Sequence, residues 1–253
     1  MTPILTLNNL SLIYHSPDSE TLAVDKLSFE VHEGELLAIV GPSGCGKSTL
    51  LSLLSGLLAP SDGEILLRGK PIRELKNSTA LMPQRDQLFE WRTILKNVVL
   101  GLEIQKKLTR EKTEEAKNLL EKYGLGDCLD KKPSELSGGM RQRAALIRTL
   151  MTGPEILLLD EPFGALDFQT RLKVVDDVEN IIRSEKKTAI LVTHDISEAI
   201  SVADRILVLS ARPATVKSVL NIDLDKDATP LKRREDKRFS QFFDRVWRDL
   251  ENE

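Results

Sequence analysis

Residues Gly41-Pro-Ser-Gly-Cys-Gly-Lys-Ser48 follow the pattern G-x-x-x-x-G-K-[ST], a loop chemistry suited to phosphate. Its glycines let the backbone turn so that N–H groups face phosphate oxygens, and a helix N-terminus behind the loop adds partial positive charge. Lys47 brings an ammonium to the β- and γ-oxygens, and Ser48 offers a hydroxyl to Mg²⁺. A second signal is Ile156-Leu-Leu-Leu-Asp160-Glu161, where four apolar residues deliver two adjacent carboxylates. Asp160 is placed to orient Mg²⁺ through its water shell. Glu161, one residue on, is placed to polarise an attacking water as general base. In the third signal, Leu136-Ser-Gly-Gly-Met140, Ser137 is a good N-cap, and Gly138 and Gly139 allow close backbone approach to oxygens.

Such groups need a sheet to hold them. Glu35 to Val40 is a short apolar run ending at glycine, as in a buried parallel strand, and Ile156 to Leu159, Ala189 to Thr193 and Ile206 to Leu209 are similar runs. Thr79 to Met82 is another short strand. Leu5 to Tyr14, Leu27 to Val31 and Ile65 to Arg68 carry alternation or β-branched content, punctuated by Pro17-Asp18, Glu33-Gly34 and Ser61-Asp62-Gly63. A helix starts near Lys47, with Leu50, Leu51, Leu53, Leu54 and Leu57 packing it to the sheet. Asp195-Ile-Ser-Glu198 opens another as an Asp form of the capping box. From about Trp91 to Met151 Glu and Lys dominate and strand signals vanish, which predicts a helical insertion. Elsewhere strand and helix alternate, so the chain is α/β with a mostly parallel sheet. Ligands of such sheets bind at the C-terminal ends of the strands. The sequence contains no internal repeat and no low-complexity segment.

The 253 residues carry a net charge of −3, so no global basic field invites nucleic acid. Two cysteines, Cys45 and Cys128, and an N-terminus unlike a signal peptide argue for a reducing cytoplasm. No apolar stretch approaches the roughly 20 residues that span a bilayer; the richest, Leu50 to Leu58, is broken by Ser52, Ser55 and Gly56. Phe239, Phe242, Phe243, Val246, Trp247 and Leu250 share one face of a helix expected over Glu235 to Leu250. That stripe packs on the chain itself or on a partner. Lys232-Arg233-Arg234 reads as a basic patch or, more plainly, as charge on a solvated linker. Cys45 sits where Lys47 and backbone N–H groups favour a reactive thiolate, with a buried, inert thiol as the alternative.

The phosphate loop paired with Leu136-Ser-Gly-Gly-Met140 resembles the ATP-binding cassette (ABC) ATPases, the motor subunits of ABC transporters, and the resemblance extends over nearly the whole chain. It implies a P-loop NTPase core with a mostly parallel sheet, an N-terminal antiparallel β subdomain and an inserted α-helical subdomain. As a single ABC ATPase domain over 1–253, the core with its β subdomain falls in 1–84 and 152–225, the helical subdomain in 85–151, and a C-terminal tail and helix in 226–253. ATP and Mg²⁺ are the implied ligands. Gly41, Pro42, Ser43, Gly44, Cys45, Gly46, Lys47, Ser48 and Thr49 surround the ATP, and Ser48, Gln84 and Asp160 hold the metal. Gln84 matches the glutamine that also senses the γ-phosphate. His194 matches a histidine that touches the γ-phosphate and helps hold the water and Glu161, so Glu161, His194, Lys47 and Gln84 form the catalytic set. Tyr14, the only aromatic before Phe29, stacks on adenine or is an ordinary strand tyrosine.

By the same resemblance Ser137, Gly138 and Gly139 reach the ATP held by another copy, and the helix from Met140 to Leu150 directs its positive end at the γ-phosphate. Two chains facing head-to-tail then form a homodimer with two composite sites. Ala165-Leu166-Asp167 matches the D-loop that crosses between them. Met140, where glutamine is commonest, followed by Arg141-Gln142-Arg143, is similar to a subgroup of bacterial importers. Gln87-Leu-Phe-Glu-Trp-Arg-Thr-Ile94 resembles importers of the nitrate, sulfonate and taurine type, with Glu90 in place of the proline of a Leu-Pro-Trp motif. Phe89 and Trp91 either line a groove for a short helix of a membrane permease or pack internally. The implied protein is the energy-coupling subunit of an ABC importer, cytoplasmic and peripheral on the inner face of the cell membrane. It partners permease subunits and, indirectly, a substrate-binding protein, and no nucleic acid. A small oxyanion is the substrate class by subgroup resemblance. The alternative is a soluble ABC ATPase acting on nucleic acid or ribosomes. It fits less well, because such proteins usually carry two cassettes, a long coiled coil or a basic linker. A kinase or GTPase reading leaves Leu136 to Met140 unexplained. At about the length of a bare cassette, no large regulatory domain is expected.

Overall fold

Alternating and continuous apolar runs build two sheets in the computed structural model, which describes residues 3–17, 19–75, 77–164 and 166–251. The strands are β1 (Pro3–Ser16), β2 (Ser19–His32), β3 (Leu36–Val40), β4 (Asp62–Leu67), β5 (Lys70–Pro71), β6 (Thr79–Met82), β7 (Ile156–Asp160), β8 (Thr188–Val192), β9 (Arg205–Leu209) and β10 (Val216–Asn221). One sheet is antiparallel, in the order β2-β1-β4-β5, and the other runs β10-β9-β3-β8-β7-β6. In the second, β9, β3, β8, β7 and β6 are parallel and β10 is an antiparallel edge. The Pro17-Asp18 break falls between β1 and β2, with Asp18 outside the described residues.

The six-stranded sheet divides two cores by the period of its strands. Leu37, Ile39, Ile156, Leu158, Ile190, Val192, Leu207 and Leu209 face one way, where they meet the antiparallel sheet and α1 (Lys47–Leu54). Leu36, Ala38, Val40, Leu157, Leu159, Ala189 and Leu191 face the other, against the helices. Those are α2 (Ile94–Val98), α3 (Leu100–Ile104), α4 (Arg110–Lys122), α5 (Gly138–Met151), α6 (Phe168–Ser184), α7 (Ile196–Val202), α8 (Pro230–Arg233) and α9 (Phe239–Glu251). The stretch from Trp91 to Met151 is helical and contains no strand among the described residues. Its last helix, α5, packs on α2, α3 and α4 as well as on α6 and β6, so the apolar cluster of the insertion is continuous with that of the sheet.

Three expectations change. Leu57 does not pack α1 to the sheet: the helix ends at Leu54, and Leu57 is 71% exposed. The C-terminal helix begins at Phe239 rather than Glu235. It packs on its own chain, with Val246 fully buried and Phe239, Phe242, Phe243 and Leu250 against the helix-side core, while Trp247 stays half exposed. The basic run before it is not wholly solvated. Lys232 is exposed, but Arg233 is buried and donates to the carbonyls of Asp225, Lys226 and Ser201 and to Glu179 Oε1 at 3.2 Å. Charge-run reasoning could not foresee this, because the carbonyls that receive the guanidinium come from separate segments.

Removing one partner of a buried ion pair strands the other charge. Arg183 also faces Glu179 at 3.2 Å, so Arg233→Met should cost about 3 kcal/mol, the low end for such a loss. Lys232→Met should stay within about 0.5 kcal/mol of the parent. Urea unfolding of the two variants checks both; equal stabilities would show that Arg233 contributes no more than its exposed neighbour.

Candidate nucleotide-binding and catalytic site

The buried strand β3 ends at Val40 and the chain enters Gly41 to Ser48 before α1 begins at Lys47. Gly46 caps the helix with φ 120°, a left-handed conformation, and a Cβ there would lie 3.2 Å from the Ala23 carbonyl oxygen. Glycine is therefore required for both backbone and space. The Lys47 ammonium donates to the carbonyls of Gly41 at 2.7 Å and Pro42 at 2.9 Å. Ser43, Gly44, Gly46, Lys47, Ser48, Thr49, Glu161 and Arg212 line a cleft of about 300 Å³.

Cys45 does not open on that cleft. It is 1% exposed and belongs to the core beneath, and its Sγ would sit 2.8 Å from a Cβ on Gly41. Burial pushes its thiol up, outweighing the Lys47 charge and backbone N–H groups that pull it down. The reactive-thiolate expectation is corrected: proximity to Lys47, 4.0 Å away, is less effective than loss of water. Tyr14, at the end of β1 and 41% exposed, lies beside the loop with its hydroxyl 3.2 Å from Thr49 Oγ1.

The carboxylate pair arrives from β7. Asp160 is the last residue of the strand, and burial followed by the charge of Glu161 pushes its carboxyl up, while Lys47 and the Ser48 hydroxyl pull it down. At Glu161 the backbone takes φ 43°, while its N–H donates to the Val192 carbonyl at 2.8 Å. A glutamate held in the left-handed region stores strain of the kind found at functional sites. Two other predicted residues converge on its carboxylate. Gln84, just past β6, donates from Nε2 to Oε2 at 3.3 Å, and His194, just past β8, places Nδ1 3.1 Å from Oε1. The structure thus groups Glu161, Gln84 and His194 beside the phosphate loop.

Ser137, Gly138 and Gly139 lie elsewhere. Ser137 caps α5 by accepting from the Met140 N–H at 3.4 Å. Ser137 and Gly138 line a depression with Arg85, Asp86, Arg141, Leu166 and Asp167, and no residue is shared with the phosphate cleft. A Cβ on Gly138 would lie 2.9 Å from Leu166 Cδ2, and one on Gly139 2.7 Å from Val174 Cγ2. These glycines are filled by the chain's own α6 and the turn before it. Of the expected D-loop, Leu166 and Asp167 are in this depression, Asp167 caps α6 by accepting from Thr170 N–H at 3.0 Å, and Ala165 lies outside the described residues.

Phe89 and Trp91 are 37% and 75% exposed, their rings 4.8 Å apart, so they do not form the interior of the helical segment. Fully buried Asn97 braces their loop: its Oδ1 accepts from Phe89 N–H at 2.7 Å, and its Nδ2 donates to the carbonyls of Phe89, Arg92 and Thr93. Arg148 donates to the carbonyls of Asp86 and Gln87, and Arg141 Nε donates to Asp86 at 3.0 Å. The sequence carries no local signal for these braces, nor for Arg212.

The ABC transporter family profile matches residues 24–164. The chain is 43% identical to the uncharacterized ABC transporter ATP-binding protein YtlC of Bacillus subtilis, over 97% of this chain and 95% of that protein. It is 36% identical to the nitrate transport protein NasD of Klebsiella oxytoca, over 94% and 93%, and 35% identical to the taurine import ATP-binding protein TauB of Roseobacter denitrificans, over 98% and 96%. Among solved structures it is similar to a dimeric post-hydrolysis state of the ATP-binding cassette MJ0796 bound to ADP and Pi. The TM-score there is 0.71 at 28% identity, covering 86% of this chain and 98% of that one.

Behind His194, Asp195 caps α7 by accepting from Glu198 N–H at 3.1 Å, but Glu198 does not return the bond. Instead Asp195 N–H donates to Thr193 Oγ1 and the Thr193 hydroxyl donates to Glu198 Oε2 at 2.9 Å. Burial and then the Asp195 charge push the Glu198 carboxyl up to about 6, against Thr193, Arg171 and Arg234. The folded chain therefore keeps this proton to higher pH than the unfolded chain, with its ordinary value of 4.5. Stability from this group is fully present below that value and is lost as pH rises through about 6, a loss of about 2 kcal/mol. Glu198→Gln should remove that slope. Urea unfolding at pH values from 4 to 8, taken as parent minus variant, isolates it from carboxylates such as Asp204 that are held low; a pH-independent difference would refute the assignment.

Proposed function

The chain belongs to the ABC transporter family, and we propose that it is the energy-coupling subunit of an importer, working as a homodimer with two composite ATP sites. The family makes it an ATP-binding ATPase. One observation carries the finer reading: Gln84 and His194 meet on the carboxylate of Glu161 beside the phosphate loop, while Ser137 and Gly138 line a separate depression. In this arrangement the chain's own Leu136 to Met140 motif lines none of its phosphate cleft, so half of a composite site is absent from the cleft of one copy. A second copy facing it head-to-tail supplies the missing half.

In this reading the loop from Gly41 to Thr49 holds the ATP phosphates, with Lys47 on the β- and γ-oxygens and Tyr14 against the adenine. Glu161 takes the proton of the attacking water, and Gln84 and His194 hold its carboxylate in place, giving ADP and phosphate as products. The Ser48 hydroxyl, the Asp160 carboxylate and the Gln84 amide are oxygen donors of the type Mg²⁺ prefers. A divalent cation also suits the adjacent carboxyls of Asp160 and Glu161, whose charges oppose each other. Bound Mg²⁺ supplies charge neutralisation on the phosphates.

Coupling is assigned to Phe89 and Trp91, exposed on a braced loop that begins just after Gln84. Their partner is a short helix of a membrane permease, which fits a protein in which no described helix is long and apolar enough to cross a membrane. A small oxyanion is the proposed cargo, delivered to the permease by a substrate-binding protein; the names of the nitrate and taurine relatives support this class.

Glu161→Gln should retain ATP binding while slowing hydrolysis about 10²-fold or more, and should accumulate an ATP-bound dimer on a sizing column. Hydrolysis near the parental rate would remove Glu161 from its role. Replacing Phe89 and Trp91 together by alanine should leave the ATPase activity of the isolated subunit largely intact and abolish co-purification with the permease. A double variant that folds and still co-purifies would move the contact elsewhere.

A further inference from the structure

Five parallel strands end at one edge of the sheet, and four of those ends carry residues already assigned to the site. β3 leads to the phosphate loop, β6 to Gln84, β7 to Asp160 and Glu161, and β8 to His194. The fifth, β9, pairs in parallel with β3 and leads into Ser210-Ala-Arg212-Pro213-Ala-Thr215. Ligands of open α/β sheets lie outside such strand ends.

This loop is held against the phosphate loop. The Ser210 hydroxyl contacts the carbonyls of Ala211 and Pro213, the N–H of Thr215 and its hydroxyl, all within 3.0 Å. Ala214 is 1% exposed and is tied to the neighbouring strand, its N–H donating to Ala23 at 2.9 Å and its carbonyl accepting from Asp25 N–H at 3.0 Å. Its Cβ lies 3.5 Å from where Gly46 would carry one. Arg212, two residues earlier, is exposed and lines the cleft with Ser43, Gly44, Lys47, Ser48 and Glu161. No hydrogen bond or ion pair engages its guanidinium among the described residues. It is a free cation on a fixed loop, in a cleft whose loop chemistry suits phosphate.

We propose that Arg212 is a further phosphate-binding residue of the ATP site, donating its guanidinium to oxygens of the nucleotide's phosphate chain. The inference rests on the reading of the cleft as the ATP site. A planar guanidinium matches phosphate oxygens two at a time, which an ammonium does not. Since the side chain is exposed and unpartnered, its removal leaves packing intact.

Displacement of a fluorescent ATP analogue by ATP and by inorganic tripolyphosphate tests the assignment in the full chain. Arg212→Ala should weaken both competitors about 10-fold or more at unchanged melting temperature, and Arg212→Lys should recover part of the loss. Binding of both competitors at parental strength by Arg212→Ala overturns the proposal. Weakening of ATP alone also overturns it, because the guanidinium would then read sugar or base. Lys47→Ala separates the two levels. If it weakens both competitors while Arg212→Ala does not, the cleft remains the ATP site and only Arg212 falls; if neither variant changes binding, the site reading itself fails.

Discussion

Parallel pairing in the larger sheet is the constraint on which the site depends. Asp160 stands opposite Val192, Met82 opposite Leu159, and Ile39 opposite Val192. Residues scattered from Gly41 to His194 along the chain are thereby delivered to one edge without any loop having to reach far. Strands β3, β7 and β8 are buried on both faces, and sliding one of them by a single residue would turn its core side chains to the wrong side. Packing energy therefore fixes the register, and the register places the carboxylate of Glu161 between Gln84 and His194. The site inherits its precision from hydrophobic side chains in the two cores flanking the sheet.

The helical segment is tied to this edge by charged groups as well as by packing. Arg141 spans from Asp86, two residues after Gln84, to the carbonyl of Leu136 at the signature motif. Arg148, about two turns along the same face of the helix, holds the carbonyls of Asp86 and Gln87. The loop that follows Gln84 is thus fastened to the helix that carries Ser137 to Gly139, and Asn97 fastens its far end. Gln84, Phe89 and Trp91 therefore share one stretch of chain that is braced along its length.

Much of this was legible in the sequence where the signal is local. The apolar runs before Gly41, Asp160 and His194 gave their strands nearly to the residue, and the phosphate loop carries its own pattern. Gln84 and His194 had no local signal and became visible only through resemblance. What escaped depends on contacts between distant segments. The left-handed backbone at Glu161 comes with a bond to Val192 on a distant strand, and the burial of Arg233 with bonds to the carbonyls of Ser201 and Asp225. At Cys45 the sequence shows the neighbouring charge but not the depth, so only the fold selects the buried, inert alternative. Arg212 has no signal in the sequence, because a lone arginine after a strand says nothing until the strand is known to lie beside β3.

The filling of Gly138 and Gly139 by Leu166 and Val174 bears on how this surface can evolve. Each glycine is a notch already occupied from behind, so a side chain there requires Leu166 or Val174 to shift or shrink. Changes at these two glycines are then easiest in pairs, since a single change leaves a clash that a neighbour must absorb. Such a route is slow to travel under selection. On the proposed head-to-tail reading this surface faces a second copy, and it should drift less than its exposure would suggest, held in place by the shape of the chain beneath it.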